Sequence, residues 1–312
     1  MRRSIYLLFL VVGGFIQAQQ PEQHSVNGRT NQPSQLQKPY VILISADGFR
    51  YDYADKYGAT HLQKLRKAGV QAQSMIPSFP SVTFPNHYTV ATGLYPSHHG
   101  IVYNLFYDRQ RKQTYNMGDR KTVEDGTWYG GIPLWVLAEQ QGLLAASYFF
   151  VGSEAAIQNT YPTYWYTYND KIPVDTRIAQ VVEWLQLPPE TRPHLITFYF
   201  SQVDHEGHSF GPDATQTRDA VKEVDEAIGK LTKAVEALHL PVNYIFLADH
   251  GMAAVDTVTR MDLTPLIDTS LYWVRGGTTQ VNIYAKPGVS TDTLRADLKS
   301  VVPKFDLYRK EE

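Results

Sequence analysis

Apolar runs alternate with amphipathic stretches along most of this chain of 312 residues. The apolar runs are rich in β-branched and aliphatic residues, which is typical of strands buried on both faces of a sheet. The amphipathic stretches carry apolar residues at three- and four-residue spacing, which predicts helices with one core-facing stripe. This alternation predicts an α/β fold, with a mostly parallel central sheet and helices on both faces.

The individual elements follow from the same pattern. Buried strands are predicted at YVILIS (40–45), HLITFYFSQV (194–203) and VNYIFLAD (242–249), and a strand nearer an edge at TQVNIYAK (279–286). Helices are predicted at 59–69, 131–142, 175–187 and 214–238. The Tyr-, Arg-, Gln- and Gly-rich stretch 101–130 predicts a long excursion over one end of the sheet, and excursions of that length are usually functional.

The first residues have the pattern of an export signal. Two arginines precede an apolar run from Ile5 to Ile16, and small or polar residues surround Ala18. Because the run is short for a bilayer span, residues 1–18 are predicted to be a cleaved signal peptide, with an uncleaved anchor as the alternative. The protein is therefore expected to be periplasmic or secreted, with no stable membrane span. Residues 19–38 are Gln-, Pro- and Asn-rich and are predicted to form a mobile leader.

Composition and charge exclude several classes of chemistry. The chain has no cysteine, so thiol nucleophiles and thiolate metal ligands are excluded. An exported protein without disulfides depends on its core, or on bound metal, for stability. The formal net charge is −2 and Lys and Arg are scattered, so no surface for a nucleic-acid polymer is predicted.

Three predicted strands are each followed by an aspartate, namely Asp47, Asp204 and Asp249. Ligands of open α/β sheets bind beyond the carboxyl ends of the strands, so parallel strands would bring these acids into one crevice. Each aspartate alone is ordinary turn chemistry. Two of them, however, have histidines close by, His208 and His250, and carboxylate with imidazole is a ligand set for zinc and related ions. The convergence predicts a metal site, because such carboxylates repel one another without a cation.

Thr83 lies in PSFPSVTFPNHYTVATG (77–93), at the start of a predicted helix. The sequence allows two roles, a helix cap or a nucleophile whose activating groups lie elsewhere in the chain. A helix start also offers free N–H groups to an anion, here including that of Phe84. Since no general base is close in sequence, the hydroxyl would depend on metal coordination for its activation.

Four blocks of the chain resemble the signature segments of the nucleotide pyrophosphatase/phosphodiesterase family, within the alkaline phosphatase superfamily. The blocks are ISADGFRYDY, PSFPSVTFPNHYTVATGLYPSHHGIVYN, SQVDHEGHSFGP and LADHGM. They occur in the family's order with similar spacing, and the resemblance runs from about residue 39 to the last residues. It implies an alkaline phosphatase-like fold and a bacterial, exported member of the family.

The resemblance also implies two zinc ions and a covalent phosphothreonine intermediate on Thr83. The ligands implied for the ion that activates the nucleophile are Asp47, Thr83, Asp249 and His250. Those implied for the second ion, which stabilises the leaving group and then activates water, include Asp204 and His208. The implied activity is hydrolysis of nucleotide phosphodiester or pyrophosphate bonds, with release of nucleoside 5′-monophosphates.

Substrate contacts are implied in the same way. Asn104, in the segment VYN, corresponds to the amide that binds a nonbridging phosphate oxygen together with the Phe84 N–H. Phe84 and Tyr168 correspond to the aromatic pair that sandwiches the base, and Phe150 and Glu154 match other pocket positions. Aromatic stacking of this kind is worth roughly 1–3 kcal/mol per base.

The chain departs from the family pattern in two places. A lysine that some animal members use near the nucleotide phosphates corresponds to Thr122. The family's third ligand of the leaving-group ion is a histidine in a Gly-rich block, and the chain stops at FDLYRKEE without that block. Residues 39–312 are therefore expected to be a catalytic domain whose C-terminal part is missing, with weakened zinc binding at the second position and poor turnover.

Three alternatives stay open at this stage. A phosphomonoesterase of the same superfamily would want a cation for the extra charged oxygen, and residues 143–157 contain none. A choline-phosphodiester hydrolase would need an aromatic and acidic box, which the Tyr-rich region could supply. The third alternative is a non-catalytic protein that binds a ligand in the remaining pocket. A sulfatase is unfavourable because the nucleophile position is a threonine rather than Cys or Ser.

Overall fold

The computed structural model describes residues 22–256, 258, 262–276, 280–300 and 305–309, and of Thr264 only the backbone. The predicted signal peptide, 1–18, lies outside the described residues. Within the described part of the chain, none of the helices combines the length and the apolar character that a bilayer crossing requires.

A six-stranded sheet forms the centre of the fold. Its strands, in spatial order, are β1 (Gln23–Ser25), β6 (Tyr164–Tyr166), β5 (Ala145–Tyr148), β7 (Leu195–Phe200), β2 (Tyr40–Ala46) and β8 (Val242–Leu247). The strands from β6 to β8 pair in parallel, and β1 pairs with β6 in the antiparallel direction. The predicted fold class, a mostly parallel α/β sheet, is confirmed.

Helices cover the sheet and link its strands. They are α1 (Tyr53–Lys56), α2 (Thr60–Ala68), α3 (Thr83–Thr92), α4 (Pro96–His99), α5 (Arg120–Val123), α6 (Leu134–Gln140), α7 (Val174–Gln186), α8 (Gln202–Phe210), α9 (Thr215–Glu236) and α10 (Asp292–Lys299). Short 3-10 turns lie at Pro33–Gln35, Gly126–Trp128 and Thr264–Leu266. The four predicted helices correspond to α2, α6, α7 and α9.

Two smaller antiparallel sheets complete the described structure. The excursion 101–130 contains a hairpin of β3 (Leu105–Asp108) and β4 (Gln113–Asn116), followed by α5. Nearer the C-terminus, β9 (Tyr272–Gly276) pairs with β10 (Val281–Ala285). The strand expected at 279–286 therefore exists as β10, but in a separate two-stranded sheet.

The core around the central sheet has two layers, because side chains of a strand alternate between the faces of the sheet, and a third, smaller cluster lies around β9, β10 and α10. Along β2, Ile42 and Ile44 belong to the layer that packs against α2, α7 and α9, whereas Leu43 belongs to the layer beneath α3 and α6. Both layers are lined with aromatic residues as well as aliphatic ones. Burial on both faces explains why the β2 sequence is continuously apolar.

The prediction that residues 242–249 form a buried strand is wrong in its placement. β8 lies at the outer edge of the sheet, where it pairs with β2, and Ile245 is 47% exposed. A continuous apolar run does not by itself distinguish an edge strand from a central one, because the distinction depends on which strands pair beside it.

The mobile leader predicted at 19–38 is also wrong for residues 22–38. β1 pairs with β6, and the Trp184 indole N–H donates a hydrogen bond to Gln23 Oε1 at 2.7 Å. Asn31 is only 4% exposed. Its side-chain amide donates to the carbonyl oxygens of Pro189 and Arg192 at 2.8 and 2.7 Å, and its Oδ1 accepts from the Leu144 N–H at 2.8 Å. Hydrogen bonds, rather than buried apolar area, order this segment.

We expect Asn31→Ala to destabilise the protein by about 2–4 kcal/mol, because it leaves buried backbone groups without their partners. Urea denaturation measures the change in the free energy of unfolding. Asn27→Ala, at an exposed position of the same segment, is the matched control and should change that free energy by less than about 0.5 kcal/mol. Equal stabilities for the two variants would show that the segment is not anchored through Asn31.

Candidate active site

The three predicted acids meet at the carboxyl ends of three adjacent parallel strands. Asp47 directly follows β2, and Asp249 lies two residues after β8. Asp204 does not end its strand, as the sequence suggested, but lies in the first turn of α8, which follows β7. Since β7, β2 and β8 are neighbours, their carboxyl ends form one crevice.

Asp47 and Asp249 are buried and Asp204 is half-buried, and imidazole nitrogens lie 3.1–3.4 Å from the carboxylate oxygens that face this crevice. Asp47 is 2% exposed and Asp249 is 1% exposed. Three of their buried oxygens have no hydrogen-bond partner among the described residues: Asp47 Oδ1, Asp204 Oδ1 and Asp249 Oδ2. Buried polar atoms are nearly always satisfied, so three orphaned oxygens in one crevice indicate a missing cationic partner.

The electrostatics of the metal-free site lead to the same conclusion. Burial, and then the negative charges of Asp249 and Asp204, raise the pKa of Asp47 well above its ordinary value. Burial also raises the pKa of Asp204. At Asp249 burial acts in the same direction, but the neighbouring His87 and His250 outweigh it and the pKa is lowered. The cluster therefore holds a proton more readily than isolated aspartates do, unless a cation takes that proton's place.

His250 presents one ring nitrogen to the acids. Its Nδ1 lies 2.9 Å from the Gly251 carbonyl oxygen, to which it can donate, and its Nε2 faces the acids. Nε2 lies 3.4 Å from Asp47 Oδ1 and 3.1 Å from Asp249 Oδ2. One imidazole nitrogen and two carboxylate oxygens form a donor set that could hold a metal ion.

The Asp204 and His208 side chains lie together on the first two turns of α8. Their spacing of four residues places them on one face of the helix, with His208 Nε2 at 3.3 Å from Asp204 Oδ1. His208 is largely exposed and Asp204 is half-buried. The helix itself therefore brings these two candidate ligands together.

Gly48 permits the tight turn after Asp47. Its φ of +67° lies in the left-handed region, and its N–H donates to Asp249 Oδ1 at 3.2 Å. A Cβ at this position would lie 3.0 Å from both Cα and Cβ of Asp204. Only glycine therefore allows the turns after β2 and β7 to approach this closely.

His87 is a further residue of the site that the sequence motifs did not predict. This buried residue of α3 lies with its Nδ1 at 3.2 Å from Asp249 Oδ2 and 3.0 Å from the Thr83 carbonyl oxygen, while its Nε2 lies 2.8 Å from Ser45 Oγ. Together with Asp47 and Asp249 it forms a second group of possible metal donors. Its position four residues after Thr83 was the available signal, since one helical turn places it directly below the nucleophile candidate.

Thr83 is the first residue of α3, and it does not cap that helix. Val82 holds the N-cap position and no side chain there accepts a backbone hydrogen bond, so the predicted cap role of Thr83 is wrong. The half-buried hydroxyl instead points toward the acidic crevice, with Oγ1 at 3.5 Å from His250 Nε2.

The N-terminus of α3 is linked to the excursion 101–130 at Asn104. The Phe84 N–H donates to Asn104 Oδ1 at 2.9 Å, and the Asn104 carbonyl oxygen accepts from the Met117 N–H at 2.9 Å, directly after β4. A backbone N–H and a side-chain amide are thus side by side at the helix start. Both groups can donate to an anion that enters beside Thr83.

The four predicted substrate contacts fall into two groups. Phe84 is half-buried and Tyr168 is 42% exposed, so both rings can reach a ligand. Phe150 is 1% exposed and packs edge-to-face against His87 and Trp135, so its ring lies in the core and its role in the pocket wall stays a prediction. Its apolar side chain is needed for the core beneath α3.

Glu154 is buried, and both of its carboxylate oxygens contact protein groups. Its Oε1 accepts a hydrogen bond from the Tyr168 N–H at 2.8 Å, and its Oε2 forms an ion pair with Arg120. With both oxygens occupied, Glu154 anchors the backbone of Tyr168 instead of facing a ligand.

The residues of this crevice fit the divalent cations that the sequence motifs imply. The donors are carboxylate and imidazole, which suit zinc, and the orphaned oxygens point at one another, as ligands of a shared ion do. Two overlapping groups of donors, Asp47–His87–Asp249 and Asp47–Asp204–His250, lie within 4.8 Å. His208 belongs to neither group and approaches only Asp204.

The raised pKa of Asp47 gives the metal-free protein a specific pH dependence. Above the unfolded-state pKa of about 4, the folded protein holds a proton that the unfolded chain has released, so stability falls as the pH rises through the raised pKa. We expect Asp47→Asn to flatten this decline in chelator-treated protein, as measured by urea midpoints between about pH 4 and 8. The exposed Asp170→Asn is the control. An unchanged slope in Asp47→Asn would contradict the burial of a repelling carboxylate here.

Comparisons with known proteins agree with this geometry. A family model described as "Type I phosphodiesterase / nucleotide pyrophosphatase" matches residues 41–311. Ectonucleotide pyrophosphatase/phosphodiesterase family member 1 of Homo sapiens is 38% identical over 224 residues, which are 70% of this chain and 24% of that protein. Venom phosphodiesterase 2 of Crotalus adamanteus is 39% identical over 233 residues, which are 73% of this chain and 29% of its own. The chain thus spans less than a third of the length of these relatives.

Solved structures show the same fold. Human ectonucleotide pyrophosphatase/phosphodiesterase 5 superimposes with a TM-score of 0.82 at 27% identity, over 87% of this chain and 72% of that one. Murine ectonucleotide pyrophosphatase/phosphodiesterase 5 has been solved as an inactive threonine-to-alanine variant in complex with AMP. It gives a TM-score of 0.80 at 27% identity, over 85% of this chain and 71% of that one. The chain belongs to the type I phosphodiesterase/nucleotide pyrophosphatase family.

Proposed function

We propose that this protein is a two-zinc hydrolase that cleaves phosphodiester or pyrophosphate bonds of nucleotides and releases nucleoside 5′-monophosphates. The observation that carries the proposal is the convergence of the Thr83 hydroxyl, the His250 Nε2 and the orphaned oxygens of Asp47 and Asp249 at one helix N-terminus. A hydroxyl placed against a cluster of carboxylates and an imidazole, which together form a metal donor set, fits a metal-dependent nucleophile.

The proposed ligands divide as the family motifs imply. Asp47, Thr83, Asp249 and His250 would hold the ion next to the nucleophile, and Asp204 and His208 would contribute to the second ion. When bound, such ions supply Lewis-acid charge that lowers the pKa of a coordinated hydroxyl or water and stabilises the charge of the leaving group. Without bound ions, the negative charges of the acidic cluster would repel a phosphodiester anion. Substrate binding therefore also requires that cations neutralise the cluster.

The proposed reaction consists of two successive displacements at phosphorus. The Thr83 oxygen forms a bond to phosphorus while the bond to the leaving oxygen breaks, which gives a phosphothreonine ester that still carries the nucleoside. Water then attacks the same phosphorus, releases the nucleoside 5′-monophosphate and returns the threonine hydroxyl. In the first step the proton of the Thr83 hydroxyl leaves with the departing oxygen. In the second step water gives its hydroxyl to phosphorus and its other proton to the Thr83 oxygen.

The charge that develops on the nonbridging oxygens needs donors, and the helix start provides them. The Phe84 N–H and the Asn104 amide are adjacent, and in the ligand-free protein the N–H is occupied by Asn104 Oδ1. A phosphate oxygen would take over the Phe84 N–H, and the Asn104 amide would present its NH₂ group to the same oxygen. Preorganised donors of this kind usually contribute about 3–4 kcal/mol to transition-state stabilisation.

A nucleoside would be held by stacking. Phe84 lies directly beside the nucleophile, and Tyr168 has an exposed ring whose backbone is fixed by Glu154. The complex of the murine relative with AMP supports a nucleotide as the ligand class. A small-molecule substrate agrees with the near-neutral charge and scattered basic residues of this chain.

Export to the periplasm or the medium is part of the proposal. It is supported by the N-terminal sequence pattern of charged, apolar and small residues. Relatives named as ectonucleotide enzymes and venom phosphodiesterases are consistent with activity outside the cell.

We expect Thr83→Ala to lower hydrolysis of a nitrophenyl nucleotide diester by at least about 10³-fold, because the attacking oxygen is absent. Thr83→Ser should keep part of the activity. Thr92→Ala is the matched control at the other end of α3 and should leave turnover unchanged. The Thr92 hydroxyl donates to the Tyr88 carbonyl oxygen and accepts from the Leu94 N–H, away from the crevice. Retained activity in Thr83→Ala contradicts the nucleophile assignment, and faster cleavage of nitrophenyl phosphate by the wild type contradicts the diester assignment.

Asn104→Ala is expected to lower kcat by about 10²–10³-fold with a smaller effect on KM, since the amide acts mainly on charge that develops in the transition state. Steady-state kinetics on the same nucleotide diester measure both parameters. Asn243→Ala, an exposed asparagine of β8, serves as the control. A rise in KM with an unchanged kcat would assign Asn104 to ground-state binding instead.

A further inference from the structure

Tyr199 contacts the acidic cluster from inside the sheet. It lies in β7, next to β2 in the sheet, and is 8% exposed. Its hydroxyl donates a hydrogen bond to Asp47 Oδ2 at 2.6 Å. This is a short, charge-assisted contact, which makes it one of the stronger hydrogen bonds a side chain can form.

Because of this hydrogen bond, the two carboxylate oxygens of Asp47 make different contacts. Oδ2 is occupied by the Tyr199 hydroxyl, whereas Oδ1 has no hydrogen-bond partner among the described residues and lies 3.4 Å from His250 Nε2. A carboxylate held at one oxygen cannot rotate about its Cβ–Cγ bond without breaking that hydrogen bond. Oδ1 is therefore fixed toward His250 and Asp204, with which Asp47 forms a group of possible metal donors.

Tyr199 is in turn held by groups on several sides. Arg177 of α7, which is 4% exposed, donates from Nη1 to the Tyr199 carbonyl oxygen at 2.9 Å. The Tyr199 ring packs edge-to-face against His87 at 5.2 Å and against Tyr168 at 6.2 Å. Neither the backbone nor the ring can shift far without disturbing these contacts.

The Arg177 guanidinium is unusual because no carboxylate pairs with it within the described residues. It lies over the rings of Phe149, Phe198 and Phe200, with its carbon 5.5–5.8 Å from their centroids. Burying a cation without an anionic partner is costly, and cation–π contacts offset only part of that cost. The hydrogen bond to the backbone of Tyr199 is the one directional contact this cation makes with the strand.

We propose that Tyr199 is a positioning residue for the metal ligand Asp47, and that Arg177 keeps Tyr199 in place from the opposite side. This inference rests on the metal site of the proposed function. Outer hydrogen bonds of this kind orient a ligand and typically change metal affinity by about 10–100-fold when they are removed.

A neighbouring tyrosine shows that the core does not require such a hydroxyl contact. Tyr148 lies in β5, adjacent to β7, and is fully buried. Its hydroxyl has no hydrogen-bond partner among the residues that the structure describes. The two tyrosines therefore differ in what their hydroxyls contact, and replacing either by phenylalanine removes one oxygen and leaves the ring in place.

The test is zinc affinity of the full chain, measured by competition with a chromophoric chelator for wild type, Tyr199→Phe and Tyr148→Phe. We expect Tyr199→Phe to bind zinc about 10–100-fold more weakly and Tyr148→Phe to bind it as the wild type does. Urea denaturation in the presence of chelator shows whether each variant is folded without zinc. The zinc affinities are then compared between folded proteins only.

Each alternative outcome overturns the inference. Unchanged zinc affinity in Tyr199→Phe, with or without a loss of stability in chelator, shows a purely structural role. Equal weakening in both variants shows that any buried hydroxyl matters. Absence of zinc binding by the wild type overturns the proposed function itself, and this result is visible before any variant is compared.

Discussion

Mutual repulsion among buried carboxylates is the constraint on which the rest of this structure depends. Asp47 and Asp249 are almost fully buried, Asp204 lies against them, and each has an oxygen without a hydrogen bond. Burial and like charge make this arrangement unfavourable for the ionised protein alone. The surrounding strands and helices hold the acids close together, and a bound cation would neutralise their charge.

The elements that hold the acids together come from parts of the chain that are far apart in sequence. Three neighbouring parallel strands bring the acids to one edge of the sheet, Gly48 allows the turns to approach, and α3 places Thr83 above the cluster. His87 contacts Asp249, and the Tyr199 hydroxyl donates to Asp47. The same buried environment that makes the acids unfavourable in isolation also strengthens their attraction for a cation, because water screens the charges less.

The fold and the acidic crevice could be predicted from the sequence because both depend on strong local patterns. Continuous apolar strands predict a parallel sheet, and in such a sheet an aspartate at a strand end has a defined location. Asp47 and Asp249 follow this rule. Asp204 could be assigned to the crevice but not to α8, because a run of SQVD does not show where the strand gives way to the helix.

Other features depend on tertiary contacts that no local pattern shows. The segment before β2 is poor in apolar residues, yet Asn31 ties it to the sheet through buried backbone groups. Phe150 and Glu154 match positions in a ligand pocket, but the packing of α3 buries the first and Arg120 pairs with the second. His87 and Tyr199 were missed because a buried histidine or tyrosine in an apolar context has the same sequence pattern whether or not it contacts an acid.

In the proposed mechanism Thr83 attacks phosphorus, and this attack depends on metal bound by the acidic cluster. Mass spectrometry of the full chain, acid-quenched during turnover of a nucleotide diester, tests it most directly. Zinc-loaded protein should carry the covalent phosphoryl adduct on Thr83, and chelator-treated protein should carry none. Turnover by zinc-loaded protein without any adduct on Thr83, or an adduct that forms equally in chelator, would contradict the account.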